Sequence, residues 1–191
     1  MGKSSQKTAA TPRPKVTKPR AGAVPAPKPA PSPVRNEVAL MFSGGIDSLL
    51  AAVLLAKDYD KVHLLTFKRG YMELGLKNSL PNVERLKALC GEDTFVHKFV
   101  NIKPLVRRVS IRSIVKDRFR YGTEVVWCVA CRTTMNAAAM LYALENNLAA
   151  ISDGSNKEQI PGAKHLTGTA ENYPSVVAQL KDFAKAYGVE F

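Results

Sequence analysis

The sequence predicts an α/β fold, an open and mostly parallel sheet with helices on both faces. From residue 36 onward, short apolar runs typical of buried strands alternate with longer segments typical of helices. Consecutive strands separated by helices are joined by right-handed crossovers, so they run parallel to one another. The chain contains no internal repeat. These observations together predict one sheet covered by helices on each side.

The strands are predicted at the compact apolar runs, which are residues 38–42, 61–67, 95–102 and 149–153. The helices are predicted where few helix breakers interrupt the chain, at residues 46–57, 83–89, 132–147 and 175–187. The second helix is placed after a polar stretch that contains Gly70, Gly75 and Pro81. The stretch of residues 107–120, called the basic segment below, is predicted to be helical in part. Residues 188–191 lie where a fifth strand would begin.

The first 35 residues differ in composition from the rest of the chain. They hold eight of the twelve prolines and eight lysines and arginines, with no aspartate or glutamate. A segment so poor in large apolar groups buries too little surface to offset its ordering entropy. We therefore expect a disordered basic tail over residues 1–35 and one folded domain over residues 36–191. The tail carries most of the formal net charge of +12.

The sequence points to a protein of the cytoplasm. No stretch has the apolar length of a signal-peptide core or a membrane span. A mitochondrial presequence is the alternative for the acid-free tail, but its many prolines disfavour an amphipathic helix. The three cysteines, Cys90, Cys128 and Cys131, are too few and too unevenly spaced for a disulfide scaffold, which agrees with a reducing compartment.

The most informative motif is the Ser-Gly-Gly-Ile-Asp-Ser stretch of residues 43–48, called the glycine loop below. It joins the first predicted strand to the first predicted helix. In an open α/β sheet, ligands bind beyond the carboxyl ends of the strands. Gly44 and Gly45 allow a tight turn whose amide groups point at a ligand, and the helix amino terminus favours an anion. Ser43 and Ser48 supply hydroxyl groups for phosphate oxygens.

Asp47 does not suit a pocket for anions unless a cation lies between its carboxylate and the phosphates. A hydrated Mg²⁺ ion meets that condition. Two well-known phosphate loops are absent, because no lysine follows the glycines before Lys57 and no Gly-x-Gly-x-x-Gly pattern occurs. A plain glycine turn with Asp47 as a helix cap is the simpler alternative.

The glycine loop resembles the Ser-Gly-Gly-x-Asp-Ser signature of the PP-loop ATP pyrophosphatases. This resemblance implies a Rossmann-like PP-loop fold that binds ATP and Mg²⁺ and cleaves ATP between its α and β phosphates. It also implies that Ser43, Gly44, Gly45, Asp47 and Ser48 bind the nucleotide, and that Asp47 acts in catalysis.

Two further strand ends support this resemblance. Phe67, after the second strand, lies where the family places groups around adenosine, although an ordinary strand residue is equally consistent. Asp153, Gly154 and Ser155 follow the fourth strand and are similar to the family's second nucleotide motif. Asp153 is then a second candidate for Mg²⁺. The alternative for this stretch, called the Asp-Gly-Ser turn below, is a helix-capping turn.

The cysteine pair Cys128-x-x-Cys131 precedes a predicted helix and is followed by Arg132. A helix amino terminus and a nearby arginine favour the thiolate form. The Cys-x-x-Cys-Arg-x-x-Met pattern resembles PP-loop enzymes that thiolate tRNA, which implies a catalytic role for Cys128 and Cys131. In some of these enzymes the pair and one more cysteine hold an iron–sulfur cluster, and Cys90 is the only further cysteine here. Zinc at the pair, or two buried thiols without chemistry, are the alternatives.

The resemblance implies an enzyme that adenylates a carbonyl oxygen with ATP, releases pyrophosphate, and so prepares a tRNA base for sulfur insertion. The expected partners are ATP, tRNA or a small nucleobase precursor, and a sulfur-donor protein, with the chain forming a homo-oligomer. Nitrogen transfer similar to that of 7-cyano-7-deazaguanine synthase is one alternative function. A non-catalytic ATP-binding subunit is another. The basic segment is a candidate surface for RNA, and a solvated helix face explains it equally well.

Overall fold

A computed structural model describes residues 35–71, 73, 76–112, 114–122, 125–155 and 174–191. The predicted basic tail lies outside the described residues, apart from Arg35 at its end. The stretch of residues 156–173, between the fourth strand and the last helix, also lies outside them.

The described residues form a four-stranded parallel sheet with the strand order β3-β2-β1-β4. The strands are β1 (Arg35–Met41), β2 (Lys61–Lys68), β3 (Phe95–Asn101) and β4 (Leu148–Asp153). All four lie within a few residues of their predicted positions, and the predicted α/β fold is confirmed. Glu190 adds one parallel bridge to Ala150 of β4, at the place where a fifth strand was predicted to begin.

Helices cover both faces of this sheet. The α-helices are α1 (Ile46–Leu55), α2 (Leu76–Cys90), α3 (Lys103–Val106), α4 (Ile114–Tyr121), α5 (Ala130–Asn146) and α6 (Pro174–Ala186). Two π-helical turns, Arg107–Ile111 and Val125–Val129, precede α4 and α5. No helix within the described residues is both long and apolar enough to cross a lipid bilayer.

The core consists of two apolar layers, one on each face of the sheet. One layer joins alternate residues of β1 and β2, such as Val38 and Leu64, to α1 and α2. The other joins the opposite residues, such as Ala39 and Leu65, to α5 and the last residues of the chain. Strand residues are buried on both faces of a parallel sheet because helices cover both, which explains the continuous apolar runs of β1 and β2.

The strand order places a topological switch point between β1 and β4. The chain builds outward from β1 through β2 to β3 and then returns to the other side of β1. Helices that leave neighbouring strands in opposite directions leave a crevice at the carboxyl ends of those strands. The glycine loop follows β1 and the Asp-Gly-Ser turn follows β4, so both border this crevice.

Helix α2 begins earlier than predicted, at Leu76 rather than Val83. Pro81 lies inside it and removes one intrahelical hydrogen bond. Local contacts offset this loss, since the Ser79 hydroxyl donates to the Leu76 carbonyl at 2.8 Å and Ser79 is fully buried. The Asn82 side chain also donates to the Gly44 carbonyl at 2.8 Å, which ties the start of α2 to the glycine loop.

Candidate functional site

The backbone of the glycine loop requires glycine at position 44. Gly44 has φ +76°, and a β-carbon there would lie 2.9 Å from the Ser79 amide nitrogen. An L-residue is disfavoured at that φ, and no space exists for its side chain. Gly45 is extended and forms the N-cap of α1. The loop backbone at Gly44 therefore packs closely against α2. No side chain at positions 44 and 45 covers the backbone at this edge of the sheet.

The two serines of the motif fix the shape of the loop. The Gly45 amide donates to Ser43 Oγ at 3.2 Å, and Ser48 Oγ donates to the Gly45 carbonyl at 2.9 Å. The two hydroxyl oxygens lie 3.2 Å apart. Ser48 is buried while Ser43 is exposed. Ser48 thus serves the loop's own conformation, and Ser43 is the better placed of the two hydroxyls for a ligand.

The amino terminus of α1 offers an anion site above this loop. Its N-cap residue is Gly45, which has no side chain that could accept a hydrogen bond from the first amides of the helix. The first N–H groups of a helix have no intrahelical partner, and the helix dipole places partial positive charge there. Asp47 lies in this first turn with an exposed side chain. The amide donors suit phosphate oxygens, and the single carboxylate suits Mg²⁺. Because Mg²⁺ takes oxygen ligands, it can lie between the carboxylate and the phosphates.

The Asp-Gly-Ser turn packs directly on the same helix end. A β-carbon at Gly154 would lie 2.8 Å from the Ser48 amide nitrogen and 3.1 Å from the Asp47 carbonyl carbon. The two turns that were predicted to bind the nucleotide are therefore in backbone contact. The second motif supports the first one physically, and both line the same crevice.

Arg132 holds the Asp-Gly-Ser turn in place. Its Nη1 donates to Ser155 Oγ at 2.7 Å, and its Nη2 donates to Asp153 Oδ2. The other carboxylate oxygen of Asp153 accepts the Ser155 amide at 3.0 Å. Because both oxygens of Asp153 are engaged and its charge is neutralised by a buried arginine, Asp47 is the better candidate for Mg²⁺.

A cleft of about 490 Å³ opens between these turns and the start of α5. Its lining includes every site residue predicted from the sequence except Gly44, Gly45 and Cys90. The lining residues that carry polar, sulfur or aromatic groups are Met41, Phe42, Ser43, Asp47, Ser48, Thr66, Phe67, Arg69, Tyr71, Glu73, Trp127, Cys128, Cys131, Arg132, Met135, Asp153 and Ser155. The nucleotide motifs and the cysteine pair thus share one cavity.

The cysteine pair lies at the start of α5. Cys128 is half-buried in the preceding π-helical turn, while Cys131 is buried in the first turn of the helix. Arg69, just after β2, donates its Nη1 to Cys131 Sγ at 3.5 Å. The arginine contact on Cys131 thus comes from Arg69, while Arg132, its neighbour in sequence, turns to Asp153.

The structure does not bring Cys90 to the pair. Cys90 ends α2 and packs against the apolar layer formed with α1, whereas α5 covers the opposite face of the sheet. Among the described residues, no group of three or more His, Cys, Asp or Glu side chains could hold a metal ion. An iron–sulfur cluster on Cys90, Cys128 and Cys131 does not fit this arrangement, because the sheet lies between the ligands.

Phe67 lines the cleft, but it is only 8% exposed and belongs to the core layer beneath α5. Its ring therefore has little exposed surface on which a base could stack. Sequence reasoning missed Arg69, Tyr71 and Trp127. Arg69 and Tyr71 follow the carboxyl end of β2, and Trp127 directly precedes Cys128. Their closeness in sequence to a predicted strand end and to the predicted cysteine pair is the signal that could have found them.

Comparison with known proteins identifies the family of the chain. No curated protein matches the chain. The family model of the thiamine biosynthesis protein ThiI matches residues 34–167, well over half of the sequence. That range begins just before β1 and includes the glycine loop, the cysteine pair and the Asp-Gly-Ser turn. With its parallel sheet and its shared cleft, the chain belongs to this ThiI family of PP-loop, tRNA-thiolation-type ATP-using enzymes.

Proposed function

We propose that this protein binds MgATP in the cleft, adenylates a carbonyl oxygen of a tRNA base, and so allows sulfur to replace that oxygen. The observation that carries the proposal is the backbone contact between the glycine loop and the Asp-Gly-Ser turn, with the cysteine pair lining the same cavity. ATP activates the oxygen of a carbonyl group and sulfur attacks the carbon of the same group, so both sets of groups need to reach that carbonyl.

The glycine loop and the amino terminus of α1 would bind the β and γ phosphates through backbone amides. Asp47 would hold Mg²⁺ against these phosphates, because its exposed carboxylate lies in the first helical turn. The ion would neutralise charge on the departing pyrophosphate. The loop amides are preorganised by Ser43 and Ser48, so they stabilise the same charge without rearranging.

The first step joins the base carbonyl oxygen to the α-phosphorus. The bond from that phosphorus to the bridging oxygen of pyrophosphate breaks, and pyrophosphate leaves with the bonding electrons. A sulfur-donor protein transfers its outer sulfur to one cysteine of the pair as a persulfide, and the terminal sulfur of that persulfide adds to the activated carbon. AMP leaves with the former carbonyl oxygen. The thiol of the other cysteine then breaks the S–S bond, so that the base keeps the sulfur and Cys128 and Cys131 end as a disulfide that a thiol reductant reopens. Adenylation is required because an amide-like oxygen is a poor leaving group by itself.

The basic segment supports RNA as the acceptor. Its arginines and lysines are all exposed, and they are Arg107, Arg108, Arg112, Lys116, Arg118 and Arg120. Helix α4 contacts the π-helical turn Val125–Val129, which carries Trp127 and Cys128. A phosphate backbone bound along α4 would therefore lie beside the sulfur end of the cleft, with affinity that falls steeply with salt.

The experiment that tests the proposal measures AMP and pyrophosphate release by the full chain with MgATP, unmodified tRNA and a sulfur donor. We expect both products in equal amounts, together with sulfur incorporated into the RNA. Cys128→Ala and Cys131→Ala are expected to retain ATP binding and lose sulfur incorporation.

Two results would contradict this function. Pyrophosphate release that needs a small carboxylate and ammonia instead of RNA would indicate nitrogen transfer. ATP binding without pyrophosphate release until a partner protein is added would indicate a nucleotide-binding subunit.

A further inference from the structure

Tyr71 and Trp127 form an aromatic pair in the wall of the cleft, called the aromatic corner below. Their ring centroids lie 5.2 Å apart in an edge-to-face arrangement. Both rings line the cleft and both remain partly exposed. The guanidinium of Arg69 lies 5.7 Å from the Tyr71 ring centroid, so Tyr71 is held between Trp127 and Arg69. Such contacts fix ring orientation, which makes the pair a rigid surface.

The Tyr71 hydroxyl has no hydrogen-bond partner among the described residues, although its oxygen is buried. Burial, together with the nearby Cys131 thiol, raises the pKa of Tyr71 to about 12. A buried oxygen is closed to ligand atoms, so Tyr71 and Trp127 offer ring surface to the cleft.

The position of the aromatic corner indicates which ligand it takes. Trp127 directly precedes Cys128, and Arg69 joins the corner to Cys131 through its 3.5 Å contact with the sulfur. The glycine loop and the Asp-Gly-Ser turn line the cleft from β1 and β4. Sulfur must reach the acceptor carbon, so the acceptor has to lie beside the cysteines. Flat aromatic surfaces bind bases by stacking, regardless of sequence.

We propose that the aromatic corner is the acceptor subsite, in which the base to be modified stacks on Trp127 while the Tyr71 ring holds Trp127 in place. This inference rests on the proposed function and adds the residues that recognise the acceptor. It assigns the nucleotide to the glycine loop and the acceptor base to the aromatic corner. Arg69 is then a positioning residue that links the corner to Cys131.

The sequence offers a direct probe, because Trp127 is the only tryptophan of the chain. Tryptophan emission of the full chain would be followed during titration with unmodified tRNA, at saturating non-hydrolysable MgATP analogue. In parallel, anisotropy of labelled tRNA would report binding itself. We expect tRNA to quench Trp127, and the analogue alone to leave the emission nearly unchanged.

Each other outcome overturns the inference in a distinct way. Quenching by the analogue and not by tRNA would assign the corner to adenine. Binding of tRNA by anisotropy with unchanged emission would place the base elsewhere, while leaving the proposed function intact. Absence of tRNA binding by anisotropy would remove both the subsite and the proposed function.

Two variants test the two rings separately. Tyr71→Leu removes the ring that orients Trp127, so we expect tRNA affinity to fall by up to about tenfold. Trp127→Leu removes the stacking surface and should lower it about ten- to a hundredfold. Both should bind the MgATP analogue as the unaltered chain does. Equal loss of analogue affinity would contradict the assignment.

Phe183 and Tyr187 on and beyond α6 provide a matched control. They form another edge-to-face pair, at 5.4 Å, and neither lines the cleft. Phe183→Leu and Tyr187→Phe should leave tRNA affinity unchanged. A loss in these variants equal to that at the aromatic corner would show that general packing, and not the acceptor subsite, was measured.

Discussion

Gly154 lies so close to Ser48 that a β-carbon at position 154 would stand 2.8 Å from the Ser48 amide nitrogen and 2.9 Å from its Cα. Real β-carbons are not found at such distances, so backbone would have to move to admit one. Ser48 is the last residue of the glycine loop and lies in the first turn of α1. The contact therefore joins the carboxyl ends of β1 and β4 at the switch point of the sheet.

Gly154→Ala should displace the glycine loop from the amino terminus of α1. We expect the free energy of unfolding to fall by about 1–3 kcal/mol, as for other overpacked sites. The affinity for MgATP should fall at least about tenfold, because the loop amides would no longer converge. Urea unfolding measures the first effect and titration calorimetry the second.

Gly188→Ala is the control for this change. Gly188 has φ +73° but no neighbour near its missing β-carbon, so alanine is strained there without a clash. The free energy of unfolding of Gly188→Ala should fall by about 1–2 kcal/mol, and its affinity for MgATP should stay unchanged. Unaltered MgATP affinity in Gly154→Ala would show that the contact between the two turns does not shape the site.

Asp47→Asn and Asp153→Asn should have opposite effects. Asp153 forms an ion pair with Arg132 in which the side chains are 17% and 8% exposed. Breaking a buried pair leaves an uncompensated charge, so Asp153→Asn should destabilise the fold by about 3 kcal/mol. Asp47→Asn should leave stability nearly unchanged and abolish the Mg²⁺ dependence of ATP binding. The reverse pattern would make Asp153 the Mg²⁺ ligand.

Tyr71 should resist ionisation. Burial raises its pKa to about 12, two units above the usual 10.0. A raised pKa favours the neutral phenol in the folded state, so its contribution to stability is complete below pH 10 and is lost between pH 10 and about pH 12. Phenolate absorbance at about pH 11 should therefore be equal in the unaltered chain and in Tyr71→Phe. One phenolate fewer in Tyr71→Phe would contradict the buried environment of this hydroxyl.

His97 should make stability depend on pH in the acidic range. Burial, with a smaller effect from Lys87, lowers the pKa of His97 below 6.5. The unfolded chain then binds more protons, so the stabilising contribution is complete above pH 6.5 and is lost as the pH falls through the lowered pKa. Urea unfolding from about pH 8 to about pH 5 should show a smaller pH dependence for His97→Gln. Identical profiles would exclude His97 as a source of acid sensitivity.

The basic segment should contribute to RNA affinity through charge. Replacing Arg112, Lys116 and Arg118 together with glutamine should weaken tRNA binding and reduce the salt slope by about 2–3. A matched triple change of Lys57, Lys61 and Lys181, all exposed on other elements, should have little effect. Anisotropy at several salt concentrations measures both. Equal losses in the two triple variants would indicate attraction by overall charge only.

The sequence predicted β1 and β2 well because these two strands are buried on both faces and so have an unambiguous apolar pattern. It misplaced the start of α2, since Gly75 and Pro81 favour a loop locally and the contacts of Ser79 and Asn82 with the glycine loop override them. Such contacts join residues far apart in the chain, so no local pattern contains them.

The candidate site was predictable where its residues are consecutive in the sequence. The glycine loop and the Asp-Gly-Ser turn are each such a stretch, and the structure places both at one crevice. The pairing of Arg132 with Asp153 and the meeting of Tyr71 with Trp127 depend on how α5 crosses the sheet. Arg132 was noticed only as a neighbour of Cys131, although its side chain reaches β4. Tertiary geometry therefore decides the role of these residues.

The most direct test of the account is calorimetric titration of the full chain with MgATP, with cooperative unfolding as proof that the protein is folded. The account predicts saturable one-site binding that Asp47→Asn weakens at least about tenfold while lowering stability by no more than about 1 kcal/mol. A folded protein that takes up no MgATP, or an Asp47→Asn variant with unaltered affinity, would contradict the claim that the glycine loop holds the phosphates of ATP.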